Sequence, residues 1–396
     1  MKRRVADLPL HRGRAPRWLF ERMSELAGAV TMAVVDEYGP REMLSRLSDP
    51  WWFQAFGCVL GFDWHSSGLT TVTCGALKEA YRRRGADLGV IVAGGKGAAS
   101  RRTPREIAEG ADAHAVAGGE RLIRASRMSA KVDSSAVQDG HQVYHHAFFF
   151  LPDGGWCVVQ QGMDGEAGRA RRYHWLGDEV DDFVCEPHAA MRDLGGRSEG
   201  AQGVLDLSDR ASGANREACA ELARTDPDRV AREVVRLTEG PTLFAPDRHR
   251  MLPEDVDADH LRRVLRDAHE RHPNDFETLL GTRGVGPKAV RSLSLLAEVV
   301  HGASPSREDP ARKWADYAHA HGGKDGTPRP VDREAYDRSV EVLRDAVRRA
   351  RLGDRRKSEA LKRLAGWEDS GPGDGGRSDG RGDERIDGNE ATRRTR

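Results

Sequence analysis

The chain of 396 residues has no net charge to argue from, because Lys+Arg and Asp+Glu both number 63. A global excess of one sign would point to a polyanionic partner or an acidic substrate; without one, only local clustering carries electrostatic information. Lysine is scarce, at nine of the 63 cations. Arginine therefore dominates, a bias that suits phosphate contacts but is also what a GC-rich coding sequence produces. Cysteine pairs are missing too: Cys58, Cys74, Cys157, Cys185 and Cys219 are scattered, with no Cys-x-x-Cys. That spacing excludes a disulfide framework and a cysteine zinc site, and is expected of reduced thiols in a cytoplasmic protein. No apolar run approaches the roughly 18 residues of a membrane span. The basic start "MKRRVADLPLHRGR" leads into no signal-type apolar core, so no membrane partner is expected. Neither HExxH nor paired acidic residues with a nearby lysine stand out as a metal-hydrolase signature. A divalent metal such as Mg²⁺ stays open as a cofactor, with no ligand set assigned, and the sequence does not speak to oligomeric state.

What is present divides the chain into parts. Trp18, Leu19, Met23, Leu26, Val30 and Val34 have the spacing of an amphipathic helix over 16–37, ended by Gly39-Pro40, and a shorter helix is expected over 41–47. "CVLGFDW" reads as a buried strand, "TTVTCGALKEAYRRR" as a helix, "DLGVIVAGGKG" as a strand with a Gly-rich turn, and "TPREIAEGADA" as a helix capped by Thr103. Strand, helix, strand, helix suggests a small parallel α/β unit. A helix over 119–137 follows, then "QVYHHAFFFLP", the turn Asp153-Gly154-Gly155 and "WCVVQQGM" as a hairpin, with "RARRYHWLG" as a third strand. The expected class is α+β: an N-terminal mixed α/β module over 1–200, a linker near "RDLGGRSEGAQG", and an all-α helix-hairpin-helix domain over 204–365. Helices are expected there at 215–223, 227–237, 259–271, 275–280, 288–300, 309–320 and 334–351. From 368 to 396 the composition is Gly, Asp and Arg with hardly an apolar residue, and disorder is expected.

"LLGTRGVGPKAVRSLSLLAEVV" (279–300) carries the most specific signal. Gly281, Gly286 and Lys288 nearly spell a P-loop. Pro287 and Ala289, however, occupy the positions that loop needs for Lys and Ser/Thr, and a helix precedes it where a strand is required. The pattern fits a helix-hairpin-helix better. Gly284 and Gly286 allow a tight turn and close backbone approach, Pro287 suits a first helical turn, and the free amides of the second helix attract a phosphate. Arg283, Lys288 and Arg291 add charge, Val285 plugs the space between the helices, and Leu279, Leu280, Leu293 and Leu296 form the seam. Such a turn holds a nucleic-acid backbone without reading bases.

"GVGPKAV" resembles the hairpin shared by base-excision DNA glycosylases, repair nucleases, helicase accessory subunits and ligases. In the glycosylase/lyases of that class the hairpin lysine forms a Schiff base and a downstream Asp assists, and Lys288 and Asp332 match those positions. The resemblance thus implies either an amine nucleophile assisted by a carboxylate or, as in non-catalytic members, a lysine that only pairs with phosphate. More of the chain, through "GFDWHSSGLTTVTCGALKEA", "AGGKGAASRRTPREI", "VVQQGMDGEAGRARRYHW" and "AHAHGGKDGTPRPVDR", is similar to a prokaryotic family known as a domain of unknown function with a C-terminal helix-hairpin-helix.

Three further segments carry candidate chemistry. Asp63 and His65 of "GFDWHSSGLTT" sit in a turn where a metal or general base fits, although Ser66 or Ser67 as a helix cap also explains it. Lys96, among Gly94, Gly95 and Gly97 and followed by Arg101 and Arg102, forms a plausible phosphate cradle. From Arg82 to Lys131 eleven basic residues face five acidic ones. On the strands, Tyr144 and His146 are expected on one face and His145 on the other, with Gln160, Gln161, Arg171, Arg172, Tyr173 and His174 contributing polar and cationic groups. The expectation is a DNA-binding protein, DNA rather than RNA, acting in repair as a nuclease or glycosylase/lyase, with catalytic candidates Asp63, His65, Lys96, His146, Gln161, His174, Lys288 and Asp332. DNA contacts are expected from Arg101, Arg102, Arg171, Arg172, Arg283, Gly284, Gly286, Lys288 and Arg291. The alternative is a non-catalytic DNA-binding or architectural repair factor.

Overall fold

Among the described residues, four α-helices precede the first strand: α1 (Arg17–Tyr38), α2 (Pro40–Ser48), α3 (Pro50–Leu60) and α4 (Gly68–Arg84). Three match the sequence expectation; α3 replaces the strand expected at "CVLGFDW". Asp49 caps it, accepting from the amides of Trp51 at 2.7 Å and Trp52 at 3.2 Å. Pro50 sits in the first turn, where no N–H is needed, and Gly61 ends the helix at φ 107°. Every residue from Trp52 to Leu60 is buried, so the run has no polar stripe, and periodicity cannot separate helix from strand. The computed structural model describes residues 17–62, 67–165, 169–194, 204–238, 257–311, 333–350 and 353–369.

The main sheet has the order β1-β3-β4-β5-β6, with β1 (Ile91–Lys96), β3 (Gln142–Phe150), β4 (Trp156–Asp164), β5 (Arg169–Leu176) and β6 (Ala190–Leu194). Every pairing is antiparallel, so the expected parallel unit is corrected. With α3 in place of a first strand, β1 has no parallel partner and instead pairs with the outer strand of the β3–β4 hairpin. A two-stranded ribbon joins β2 (Val137–Gln138) to β7 (Leu205–Asp206).

Both faces of the sheet are covered. Ala147, Phe149, Cys157 and Val159 pack against α1 to α4, and against Leu343 and Val347 of α13 (Arg333–Arg349) and Leu364 of α14 (Asp354–Asp369). Phe148, Phe150, Val158 and Trp175 face the other way. They share a core with α6 (Thr103–Ala113), α7 (Gly119–Lys131), α8 (Gly213–Arg224), α9 (Pro227–Thr238), α10 (Ala258–Arg271), α11 (Phe276–Gly281) and α12 (Pro287–His301). A short helix, α5 (Ala98–Arg101), links β1 to α6. The helix expected over 119–137 ends at Lys131 and continues as a π-turn, Val132–Ala136. Of the helix expected at 309–320, residues beyond Ala311 lie outside the described residues, as does the tail beyond Asp369.

Gly94 fixes β1 in place. At φ 88° it lies in the left-handed region, and a Cβ there would stand 2.2 Å from the carbonyl oxygen of His146 and 2.6 Å from Thr103 Oγ1. Gly94→Ala is expected to destabilise the fold by about 2–4 kcal/mol, through strain and a backbone clash together. Urea unfolding measures this, and an unchanged midpoint would contradict the register of β1 on β3.

Candidate functional site: a basic cleft beside the α11–α12 turn

Asp275 caps α11 by accepting from the Thr278 amide at 2.7 Å, and Pro287 opens α12. Between them Gly284 takes φ 87°, and Val285, 1% exposed, inserts into the core. Leu279, Leu280, Leu293 and Leu296 are buried, as expected for the seam. Arg283 and Lys288 are exposed. The turn is fastened to the sheet module: Lys131 Nζ donates to the Val285 carbonyl, and Gln138 Nε2 donates to the Pro287 carbonyl at 2.9 Å. The same Gln138 accepts from Arg291 Nε at 2.8 Å. Burial lowers the Lys131 pKa.

This docking leaves a cleft of about 1350 Å³ between the turn and α7. Arg101 enters from α5, Arg124, Arg127 and Lys131 from α7, Arg271 from the end of α10 and Arg283 from the turn. Against these six cations stand Glu120 and Glu277, and Glu277 is paired with Arg124. Two segments far apart in sequence, the loop after β1 and the α11–α12 turn, therefore contribute to one basic wall.

Ser126 and His146 form part of the cleft floor, at 2% and 4% exposure. His146 Nε2 lies 2.9 Å from Ser126 Oγ and its Nδ1 lies 2.8 Å from Gln160 Oε1. Gln160 Nε2 in turn donates to Asp133 Oδ2 at 2.5 Å and to the Ser129 carbonyl at 3.2 Å. Asp133 also meets His188 Nε2 at 2.5 Å and Trp175 Nε1 at 3.0 Å; burial raises its pKa.

The opposite face carries a second polar row. Lys96, His145, Gln161 and Arg172 are successive cross-strand neighbours on β1, β3, β4 and β5. Tyr144 belongs to this face and not, as expected, to that of His146. A register shift between Val143 and His145 breaks the alternation, and Tyr144 Oη accepts from Gln161 Nε2 at 2.5 Å while its ring lies 5.6 Å from Lys96 Nζ. Gln161 Nε2 also donates to the Ser67 carbonyl at 3.0 Å. His145 is 1% exposed, and neither of its ring nitrogens has a hydrogen-bond partner among the described residues.

Other expected site residues have different surroundings. The Gly94 amide donates to Glu106 Oε2 at 2.7 Å and the Gly97 amide to the Tyr144 carbonyl at 2.8 Å, so the expected phosphate cradle has two of its amides already engaged. Lys96 and Arg102 are exposed. Arg171, 1% exposed, pairs with Asp139 at 2.7 Å and Asp309 at 2.8 Å. Burial alone would raise Asp139, but Arg171 and His141 outweigh it and hold that carboxyl below the ordinary range. Arg172, wholly buried, donates to Gln54 Oε1 at 2.5 Å and stacks 4.8 Å over Phe53. His174 Nδ1 bonds the Leu47 carbonyl at 3.0 Å. Asp63, His65 and Asp332 lie outside the described residues, and among those described no three His, Cys, Asp or Glu side chains cluster as a metal cage would require. Sequence reasoning placed Gln160 among the polar groups of the strands but missed Ser126 and Arg271. The charge excess from Arg82 to Lys131 does point toward Arg124, Arg127 and Lys131.

Residues 4–331 match the model of DUF763, described as a protein of unknown function, and the chain belongs to that family. No curated protein matches it, and no solved structure does.

Burial pushes the His145 imidazole down to about 3 and that of His146 down to about 4, from about 6.5 in an unfolded chain. The unfolded state then binds more protons, so this contribution to stability is complete above pH 6.5 and declines as pH falls toward 4. The melting temperature is expected to drop across that window, less steeply in His145→Leu, as read by circular dichroism. Identical acid limbs would contradict a neutral buried imidazole.

Proposed function

We propose that the protein binds DNA through its sugar-phosphate backbone in the cleft between α7 and the α11–α12 turn, and processes or repairs the DNA held there. The observation that carries this reading is the convergence of six cations from four separate chain segments on one cleft. Cations so placed displace the counterions of a polyphosphate, giving affinity without sequence preference. The turn itself supports the assignment: Gly284 at φ 87°, an exposed Arg283 and Lys288, and the first amides of α12 behind Pro287 form the anion-attracting end of a helix-hairpin-helix.

Nuclease action and glycosylase/lyase action are the two enzymatic forms of the proposal. Exposure of Lys288 favours phosphate contact over the lyase role, since a Schiff-base amine gains its reactivity from desolvation. Arg171 and Arg172, engaged with buried partners, are left out of the interface. Arg101, Arg283 and Lys288 remain in it.

Arg283→Glu with Lys288→Glu, and separately Gly286→Asp, are expected to weaken binding to unrelated duplex sequences alike, by about 10-fold or more at low salt. The plot of log Kobs against log salt should become shallower by about one for each phosphate no longer neutralised. Fluorescence anisotropy over a salt series measures both. Wild-type affinity and slope in these variants would remove the turn from the interface.

A further inference from the structure

The hydrogen bonds on the cleft floor fix which atoms carry protons. Gln160 Nε2 faces a backbone carbonyl, which can only accept, and a carboxylate oxygen; it must therefore be the amide nitrogen, and Oε1 is turned to His146. An amide oxygen only accepts, so His146 Nδ1 carries the ring proton. His146 Nε2 is then left with its lone pair, 2.9 Å from Ser126 Oγ, and the serine O–H donates to it. Hydroxyl, imidazole base and a third group that sets the imidazole tautomer form the arrangement that activates a serine.

A serine–histidine bond can be purely structural, and many are. This one lies beneath a large cleft whose lining includes both side chains, at 2% and 4% exposure, together with Arg124, Arg127 and Arg283. Cations there oppose the negative charge that builds on phosphoryl oxygens during transfer. Asp133, behind Gln160, completes a buried chain of partners that holds the imidazole in place.

From this geometry we propose that Ser126 is the nucleophile of a phosphodiester-transfer reaction, with His146 as its general base and Gln160 as the positioning residue; the proposal rests on the DNA-binding reading of the cleft. Ser126 Oγ attacks the phosphorus while its proton passes to His146 Nε2. The bond from phosphorus to the leaving oxygen breaks, and that oxygen takes the proton from His146. The products are a strand ending in a free hydroxyl and a phosphodiester linking Ser126 to the other strand end. Water then attacks the same phosphorus, its proton returns through His146 to Ser126 Oγ, and a phosphomonoester is released. No oxidant, reductant or co-reactant other than water is needed.

The full chain is tested in two assays. In the first, a fluorophosphonate probe reports an activated serine independently of any DNA. In the second, labelled single-stranded, duplex and flap DNA are incubated with the protein, quenched in SDS and examined for cleavage and for a protein–DNA adduct mapped by mass spectrometry. Probe labelling at Ser126 is expected, abolished in Ser126→Ala and reduced at least about 10-fold in His146→Gln. Cleavage or adduct should vanish with Ser126→Ala. Ser126→Cys, nearly isosteric, guards against misfolding: its thiol should react with iodoacetamide. A folded Ser126→Cys variant whose new thiol stays unreactive would mean that no substrate reaches this position, overturning the proposal. DNA that binds yet is neither cleaved nor linked, with no probe labelling, overturns the nucleophile and leaves the DNA reading standing. Probe labelling without any DNA binding removes the DNA reading and the phosphodiester step with it. Cleavage that persists in Ser126→Ala also sinks the proposal.

Discussion

The docking of the α11–α12 turn on the sheet module is the constraint from which the candidate site follows. Three polar contacts hold it: the Lys131 ammonium on the Val285 carbonyl, Gln138 on the Pro287 carbonyl, and Arg291 on Gln138. Val285, Leu279 and Leu293 add an apolar plug to the core that also contains Phe148 and Trp175. Because the turn cannot swing away without exposing that plug, Arg283 stays opposite Arg124 and Arg127, and the space between them persists as a cleft. Gly284, at φ 87°, lets the chain reverse tightly enough for this to happen.

A sheet buried on both faces imposes the second constraint. Polar residues placed on it must find partners inside the protein or remain costly. The two faces answer differently. On the cleft side, Ser126, His146, Gln160, Asp133 and His188 satisfy one another in a connected chain, and Arg171 closes an ionic cluster with Asp139 and Asp309. On the other side His145 is buried with both nitrogens unpartnered among the described residues. Adjacent histidines in "YHH" thus occupy environments of opposite kind, separated only by the pleat.

Much of the local structure is legible in the sequence, and most of the site is not. The helices α1, α4, α6, α8 and α12 announce themselves by spacing and by Pro or Gly at their ends, and the β3–β4 hairpin by its Asp-Gly-Gly turn. Helix α3 does not, because burial on all sides removes the polar stripe by which a helix is recognised; only Asp49-Pro50 marks its start. Tyr144 departs from the face that strict alternation gives it because a bulge adds a residue that alternation does not count. Arg171 and Arg172 read as phosphate ligands in a basic string, yet strand alternation sends them to opposite buried faces. The cleft draws on residues from Ser100 to Arg283, a convergence that only the folded chain creates.

The central claim is that this cleft, walled by α7 and the α11–α12 turn, is where the DNA backbone lies. Hydrogen–deuterium exchange on the full chain, free and saturated with duplex DNA, tests it most directly. The account predicts slowed exchange concentrated in residues 100–104, 119–131 and 282–291. Bound DNA that leaves those segments unprotected, or protects only a different surface, would contradict it.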